Sequence, residues 1–213
     1  MASLKVEFQY QYQKANGVSL RTKLFAYNNV LNGYGSKFSS MTNFIFSNGF
    51  TSSILKKSFA IAKERNLPLI SNKSLSKEFQ LINNQLNNKN CIKKIYLFND
   101  EFTNHLDTSI GVDAIQLLSA LNYKVEVIDN VESGRAFLSK GLLEQAKILA
   151  NKNVEIFKNK VSSDTPLIGI EPSAILTFKD EYLKLADDKI SAEAISKNTF
   201  LIEEFIQQEI ELG

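Results

Sequence analysis

The chain has one cysteine, Cys91, and one histidine, His105, in 213 residues. A single Cys excludes an internal disulfide and any metal site built from several thiolates of this chain. A single His excludes a multi-histidine metal centre. No apolar run approaches the roughly 20 residues of a membrane-spanning helix. The opening residues Met1-Ala2-Ser3-Leu4-Lys5-Val6-Glu7 lack the apolar core of a signal peptide. No Walker-type loop and no G-x-G-x-x-G is present, so nucleotide folds of those kinds have no support. The formal net charge is only +2 and the basic residues are spread along the chain, which argues against nucleic acid as a partner. A cytoplasmic location is the expectation.

Hydrophobic residues make up 44% and charged residues 23%, the composition of an ordinary globular protein large enough for one α/β domain and an appendage. The first part is rich in short apolar patterns. Leu4, Val6, Phe8, Tyr10 and Tyr12 alternate with polar residues as in a strand, while Leu4, Phe8 and Tyr12 also keep helical spacing. Period alone leaves both open. A helix is expected from Leu20 to about Leu31, a turn at Gly33 and Gly35, a second helix around Met41 to Phe46, and a third around Ile54 to Ala62. Such short helices need another surface to bury against. Their Phe and Tyr either cap the rest of the chain or pack on something beyond it. Residues 1–75 are therefore expected to form a helical segment. Residues 76–91, rich in Asn, Lys and Gln, read as a polar connector in which Ser76 to Phe79 can open a short amphipathic helix.

From Ile92 the pattern alternates. Ile95-Tyr96-Leu97-Phe98 is a continuous apolar run, as in a buried parallel strand. A helix follows from about Ser109 to Leu121, with Asp107 or Thr108 placed to cap it. Lys124 to Ile128 is a second strand, Leu142 to Lys160 a long helix, and Thr165 to Ile170 a third strand. Ile175 to Leu185 and Thr199 to Ile210 read as closing helices. The order β-α-β-α-β-α implies parallel strands with right-handed crossovers. The expected fold is α/β, with the helical segment packed on a doubly wound, mainly parallel three-layer domain over residues 92–213.

In such a sheet the loops after the strands share one edge, where open α/β proteins bind ligands. The first loop carries Asp100, Glu101, Thr103, Asn104 and His105. The second carries Glu132, Ser133, Gly134 and Arg135, followed by Ser139 and Lys140, and the third carries Glu171 and Ser173. Arg135 and Lys140 at a helix entrance suit a carboxylate or phosphate. The competing reading is structural: Arg135 pairs with Glu171 or Asp100 and staples the loops together. His105 is a weak base candidate and Cys91 reads as packing. Asp100, Glu101 and Glu171 offer acid/base or metal-binding oxygens, but no nucleophile–base pair can be assembled, so no complete active site is expected in this chain and no residue is assigned as catalytic or metal-binding.

Three segments resemble the carboxyl-terminal part of bacterial FAD-linked oxidases that also carry iron–sulfur clusters. They are Leu97-Phe98-Asn99-Asp100-Glu101-Phe102-Thr103-Asn104, Glu132-Ser133-Gly134-Arg135 with Ser139-Lys140-Gly141-Leu142-Leu143, and Gly169-Ile170-Glu171-Pro172-Ser173-Ala174 running on to Tyr182. The relatives implied are D-lactate, glycolate and 2-hydroxyglutarate dehydrogenase-like proteins and the cysteine-rich CCG domains of iron–sulfur oxidoreductases. Leu4-Lys5-Val6-Glu7-Phe8 and Leu20-Arg21-Thr22-Lys23 resemble the helical region after the ferredoxin-like module of these oxidases, which favours helix over strand at residues 3–14. In the family pattern the second loop reads Cys-Cys-Gly-Arg and the third Glu-Pro-Ser-Cys. Here Glu132, Ser133 and Ala174 stand at the Cys positions. Thiolates hold such clusters, so the resemblance implies the fold without a cluster in this chain. It also implies a longer polypeptide with FAD, iron–sulfur clusters, a flavin domain, a ferredoxin-like module and an electron acceptor. This piece would act as scaffold or docking part. The alternative is a stand-alone module that binds a small anion or a protein and does no redox chemistry.

Overall fold

In the computed structural model, residues 2–86 and 91–212 are described. Part of the expected connector, residues 87–90, lies outside them. Four strands form one parallel sheet: β1 (Lys93–Leu97), β2 (Tyr123–Glu126), β3 (Leu167–Gly169) and β4 (Thr199–Leu201), in the order β2-β1-β3-β4. Tyr96 pairs with Glu126 on one side and Leu167 on the other. The chain therefore leaves β1 in one direction and returns to its other side with β3. The carboxyl ends of β1 and β3 form the topological switch point of the sheet.

Strand period sorts the core into two faces. Tyr96, Phe98 and Leu167 turn to one side, where they meet α9 (Leu143–Phe157), α10 (Pro172–Lys179), α11 (Tyr182–Leu185) and α12 (Lys189–Lys197) through Val154, Phe157, Ile175, Phe178, Tyr182 and Ile195. Ile95, Leu97, Val125 and Ile168 turn to the other, against α6 (Leu75–Ile82), α7 (Thr108–Ala120) and α13 (Ile202–Leu212) through Leu75, Phe79, Ile115, Leu118 and Phe205. Helices on both faces of a parallel sheet make the expected three-layer, doubly wound arrangement. Central β1 is buried on both faces and reads as a continuous apolar run. Edge strand β2 buries Tyr123 and Val125 and leaves Lys124 exposed, hence its alternation.

The amino-terminal segment is helical: α1 (Ala2–Asn16), α2 (Leu20–Ala26), α3 (Asn28–Lys37), α4 (Ser39–Ser47) and α5 (Gly49–Ser58). Residues 3–14 are helix, as the resemblance favoured. Ser19 caps α2 and Asn48 caps α5 through side-chain oxygens on backbone N–H groups. A third seam joins this segment to the α/β layers. Ala26 packs with Phe137, Leu138, Leu142 and Ala146, and Tyr27 meets Phe137 edge-on at 4.9 Å between ring centroids. Gly141 has φ +71°, and a Cβ there would stand 3.0 Å from the Gln9 carbonyl carbon, so α1 lies directly on this glycine.

Several details differ from the sequence reading. Gly33 and Gly35 lie within α3 and mark no turn, because the packed neighbours outweigh glycine's modest helix penalty. The short amphipathic helix allowed at Ser76 to Phe79 forms as α6, and its Phe79, within the expected connector, is buried under the sheet. Asp107 makes no side-chain cap. Thr108 instead turns its hydroxyl back to the Thr103 and Asn104 carbonyls. A short helix, α8 (Arg135–Ser139), occupies part of the expected second loop. Thr199 to Leu201 is strand rather than the start of a helix, because β3 offers an open edge to pair with. A three-residue strand is too short to show a period.

Candidate functional site

The carboxyl edge of the sheet is built around two adjacent acids at the end of β1. Asp100 and Glu101 are both almost fully buried. One Asp100 oxygen accepts from the Phe102 and Thr103 N–H groups at 2.8 and 2.9 Å, and the other from the Thr103 hydroxyl at 2.5 Å. This is a closed turn held by its own first residue. Burial still raises the Asp100 pKa above the usual carboxylate range, and Glu171 adds to the rise.

Glu101 reaches across to the second loop. Its two oxygens accept from the Ser133 N–H at 2.9 Å and the Ser133 hydroxyl at 2.7 Å. Burial raises its pKa too, against the pull of these two bonds. Ser133 is fully buried and uses every polar group it has. Its carbonyl accepts from the Tyr182 hydroxyl at 2.9 Å, and its Oγ accepts from the Arg135 N–H at 3.1 Å. Asn153 of α9 donates to the Glu132 carbonyl at 3.1 Å and to the Tyr182 hydroxyl at 2.9 Å. Gly134, at φ +83°, turns the chain from this knot into α8.

The two cations proposed for an anion have internal partners. Arg135 pairs with Glu181 at 2.9 Å, and with neither Glu171 nor Asp100. Lys140 lies over the Phe25 ring of α2, and its carbonyl accepts from Gln13 of α1 at 2.6 Å. Ser139 donates to the Ala136 carbonyl. Glu171 is the N-cap of α10: its carboxylate accepts from the Ser173 N–H and hydroxyl, with Pro172 at the first helical position. The structure thus joins the first and second loops directly through Glu101 and Ser133. Lys140 is turned toward the helical segment, Ser139 bonds within its own helix, and Glu171 and Ser173 serve each other at the third loop.

Over this edge lies α3. The Asn29 side chain reaches Glu132, and Gly33 faces the His105 ring. Asn104 sits 3.3 Å from that ring. Burial lowers the His105 pKa, so the ring is neutral at pH 7. Burial also raises Glu132 to about 7, helped by the negative Glu101 and opposed by Asn29. One Glu132 oxygen is buried without a hydrogen-bond partner among the described residues, as are an oxygen of Asn29, an oxygen of Asn104 and Nδ1 of His105.

Three residues that hold this site together, Asn153, Glu181 and Tyr182, are not among the candidate site residues of the sequence reading. Asn153 had a readable signal: it sits at helical spacing with Ala146, Ala150 and Phe157 on an otherwise apolar face.

The positions where the resemblance sets cluster thiolates do not fit an iron–sulfur cluster. Ser133 has its hydroxyl committed to a carboxylate, and Ala174 is a fully buried methyl in the apolar core. Among the described residues no group of three or more His, Cys, Asp and Glu side chains is placed to hold a metal ion. No helix among them is long and apolar enough to cross a membrane.

Fold and loops together define a doubly wound α/β unit whose first and second carboxyl-edge loops are tied into one buried polar knot. In sequence it is similar to D-2-hydroxyglutarate dehydrogenases. The Haemophilus influenzae enzyme is 23% identical over 165 residues, which is 73% of this chain and 16% of that protein. The Escherichia coli enzyme is 24% identical over 146 residues, 64% of this chain and 14% of that protein. The Pantoea ananatis enzyme is 24% identical over 119 residues, 56% of this chain and 11% of that protein. The chain thus spans no more than 16% of the length of these curated relatives. No family model matches the chain, and no solved structure matches it significantly.

Proposed function

We propose that this chain is the scaffold part of a 2-hydroxy-acid oxidoreductase that uses FAD and iron–sulfur clusters carried elsewhere in a longer polypeptide. The observation that carries this reading is the similarity to D-2-hydroxyglutarate dehydrogenases over 73% of the chain. The polar knot supports the scaffold role. The Glu101–Ser133 and Tyr182–Ser133 bonds do structural work at the loop where relatives of the implied family place cluster ligands. Substrate oxidation would take place on the flavin, and this chain would hold domains in register and present a surface to an electron acceptor. The anion-module alternative gains nothing from the geometry, because Arg135 and Lys140 are engaged internally.

The test is to purify the natural gene product and record its flavin and iron–sulfur absorbance. Dye reduction is then assayed with D-2-hydroxyglutarate, glycolate and D-lactate. Bound flavin and turnover of one of these acids are expected. A gene product that binds no flavin refutes the proposal.

A further inference from the structure

Charge that looks evenly spread along the chain is not evenly split between its parts. Residues 1–70 carry nine Lys and Arg against two Glu and no Asp, whereas residues 71–213 carry 16 against 21. The same basic part exposes its apolar side chains. Leu4, Phe8 and Tyr12 form one stripe on α1 at 81, 70 and 59% exposure, and Leu20 at the start of α2 is 81% exposed. Helical spacing of four residues puts the first three on one face. Phe8 and Tyr12 also line a cleft of about 230 Å³ with Gln9, Gln13, Ser19 and Thr22, between α1 and α2. Lys5, Lys14, Arg21 and Lys23 are exposed on these two helices, against one exposed acid, Glu7, which accepts from Gln11. A basic rim around aromatic and aliphatic side chains is the anatomy of a protein interface.

The complement lies on the same molecule. Helix α13 carries Glu203, Glu204, Glu209 and Glu211 and no basic residue. Glu203 and Glu211 are exposed, and Ile210, two turns from Glu203 on the same face, is 74% exposed. Glu204 and Glu209 are occupied by Lys179 and Lys93 within the chain. At about 1.5 Å per residue α13 is about 16 Å long and α1 about 22 Å, so the one can lie along the other.

We infer that the cleft between α1 and α2 is a docking site for helix α13 of a second copy of this chain, in a closed two-fold dimer. A two-fold axis makes each contact twice and leaves no open end, since the basic face of each copy meets the acidic helix of the other. Four large apolar side chains from one face and Ile210 from the other are covered in each contact. Made twice, this approaches the roughly 1,200 Å² that a stable interface buries. A lipid surface is the poorer fit: the chain's own α13 already matches this face in both charge and apolar content. The inference is independent of the oxidoreductase reading, because neither flavin binding nor turnover bears on it.

Sedimentation velocity on the full chain tests it, with two charge-reversal variants at exposed positions. One is Lys5→Glu with Lys14→Glu and Lys23→Glu, and the other is Glu203→Lys with Glu211→Lys. The native chain is expected to be a dimer that weakens at least tenfold as salt rises from about 50 to about 500 mM. Each variant alone is expected to be monomeric, and mixing the two to restore a dimer. Phe8→Ser is expected to weaken the native dimer at least tenfold with an unchanged circular dichroism spectrum. A monomeric native chain, a dimer untouched by both reversals, or a mixture that stays monomeric overturns the inference. A monomer that binds anionic vesicles assigns the face to lipid and equally overturns it.

Discussion

Replacing Glu132 by Gln should stabilise the protein, by a margin that grows as pH rises from about 4.5 to about 7 and is full above that. Glu132 has a carboxyl raised to about 7, with burial as the main cause and Glu101 as the second. Unfolded, it titrates near 4.5. The folded state therefore binds the proton more tightly than the unfolded one. The stability that comes with this proton is fully present below pH 4.5 and is lost as pH rises through about 7. The full difference corresponds to about 3 kcal/mol at about 1.4 kcal/mol per decade. Glu132 is only partly shielded from water, so about 1–2 kcal/mol is the expected effect. Gln keeps the shape and the link to Asn29 but never ionises. Urea unfolding at pH 8 should show Glu132→Gln more stable by about 1–2 kcal/mol, or about 2–8 °C in Tm. At pH 5 the two proteins should nearly coincide. Asp100 is raised as well but is common to both proteins, whereas Glu101 is coupled to Glu132, so the pH-dependent gap belongs to that pair. An identical gap at the two pH values would refute the reasoning, because a packing effect does not titrate.

Three further outcomes follow from the same geometry. Ser133→Ala removes the hydroxyl donor from a buried Glu101 and should cost about 1–3 kcal/mol, read from the urea midpoint; a neutral result would mean the knot carries no stability. Gly141→Ala adds a Cβ at 2.6 Å from that of Gln9 and at φ +71°, so amide exchange in residues 4–16 should quicken while β1 stays protected. Unchanged exchange would show that α1 does not depend on this contact. Arg135→Ala breaks one partly exposed ion pair and should cost no more than about 1 kcal/mol; a larger loss would show that the Glu181 pair is a main support of the loop.

Much of this molecule was legible in its sequence. The continuous run Ile95 to Phe98 announces a strand buried on both faces, and the strand expected at Lys124 to Ile128 is present as Tyr123 to Glu126, an edge strand with one wet face. Strand, helix and strand in succession require parallel pairing and right-handed crossovers, which brings the loops to one edge. Strand β4 was not legible, since three residues show no period and only the free edge of β3 makes Thr199 to Leu201 extended. The partners at the site lay beyond reach for a similar reason. Glu101 and Ser133 are 32 residues apart, Tyr182 and Ser133 are 49 apart, and no local pattern announces a contact across that distance. Local periodicity and turn chemistry set which residues are strand, helix or loop, because both act over a few neighbours. Which acid meets which hydroxyl, and that Arg135 finds Glu181, was decided only when the sheet brought distant loops together and burial left each polar group in need of a partner.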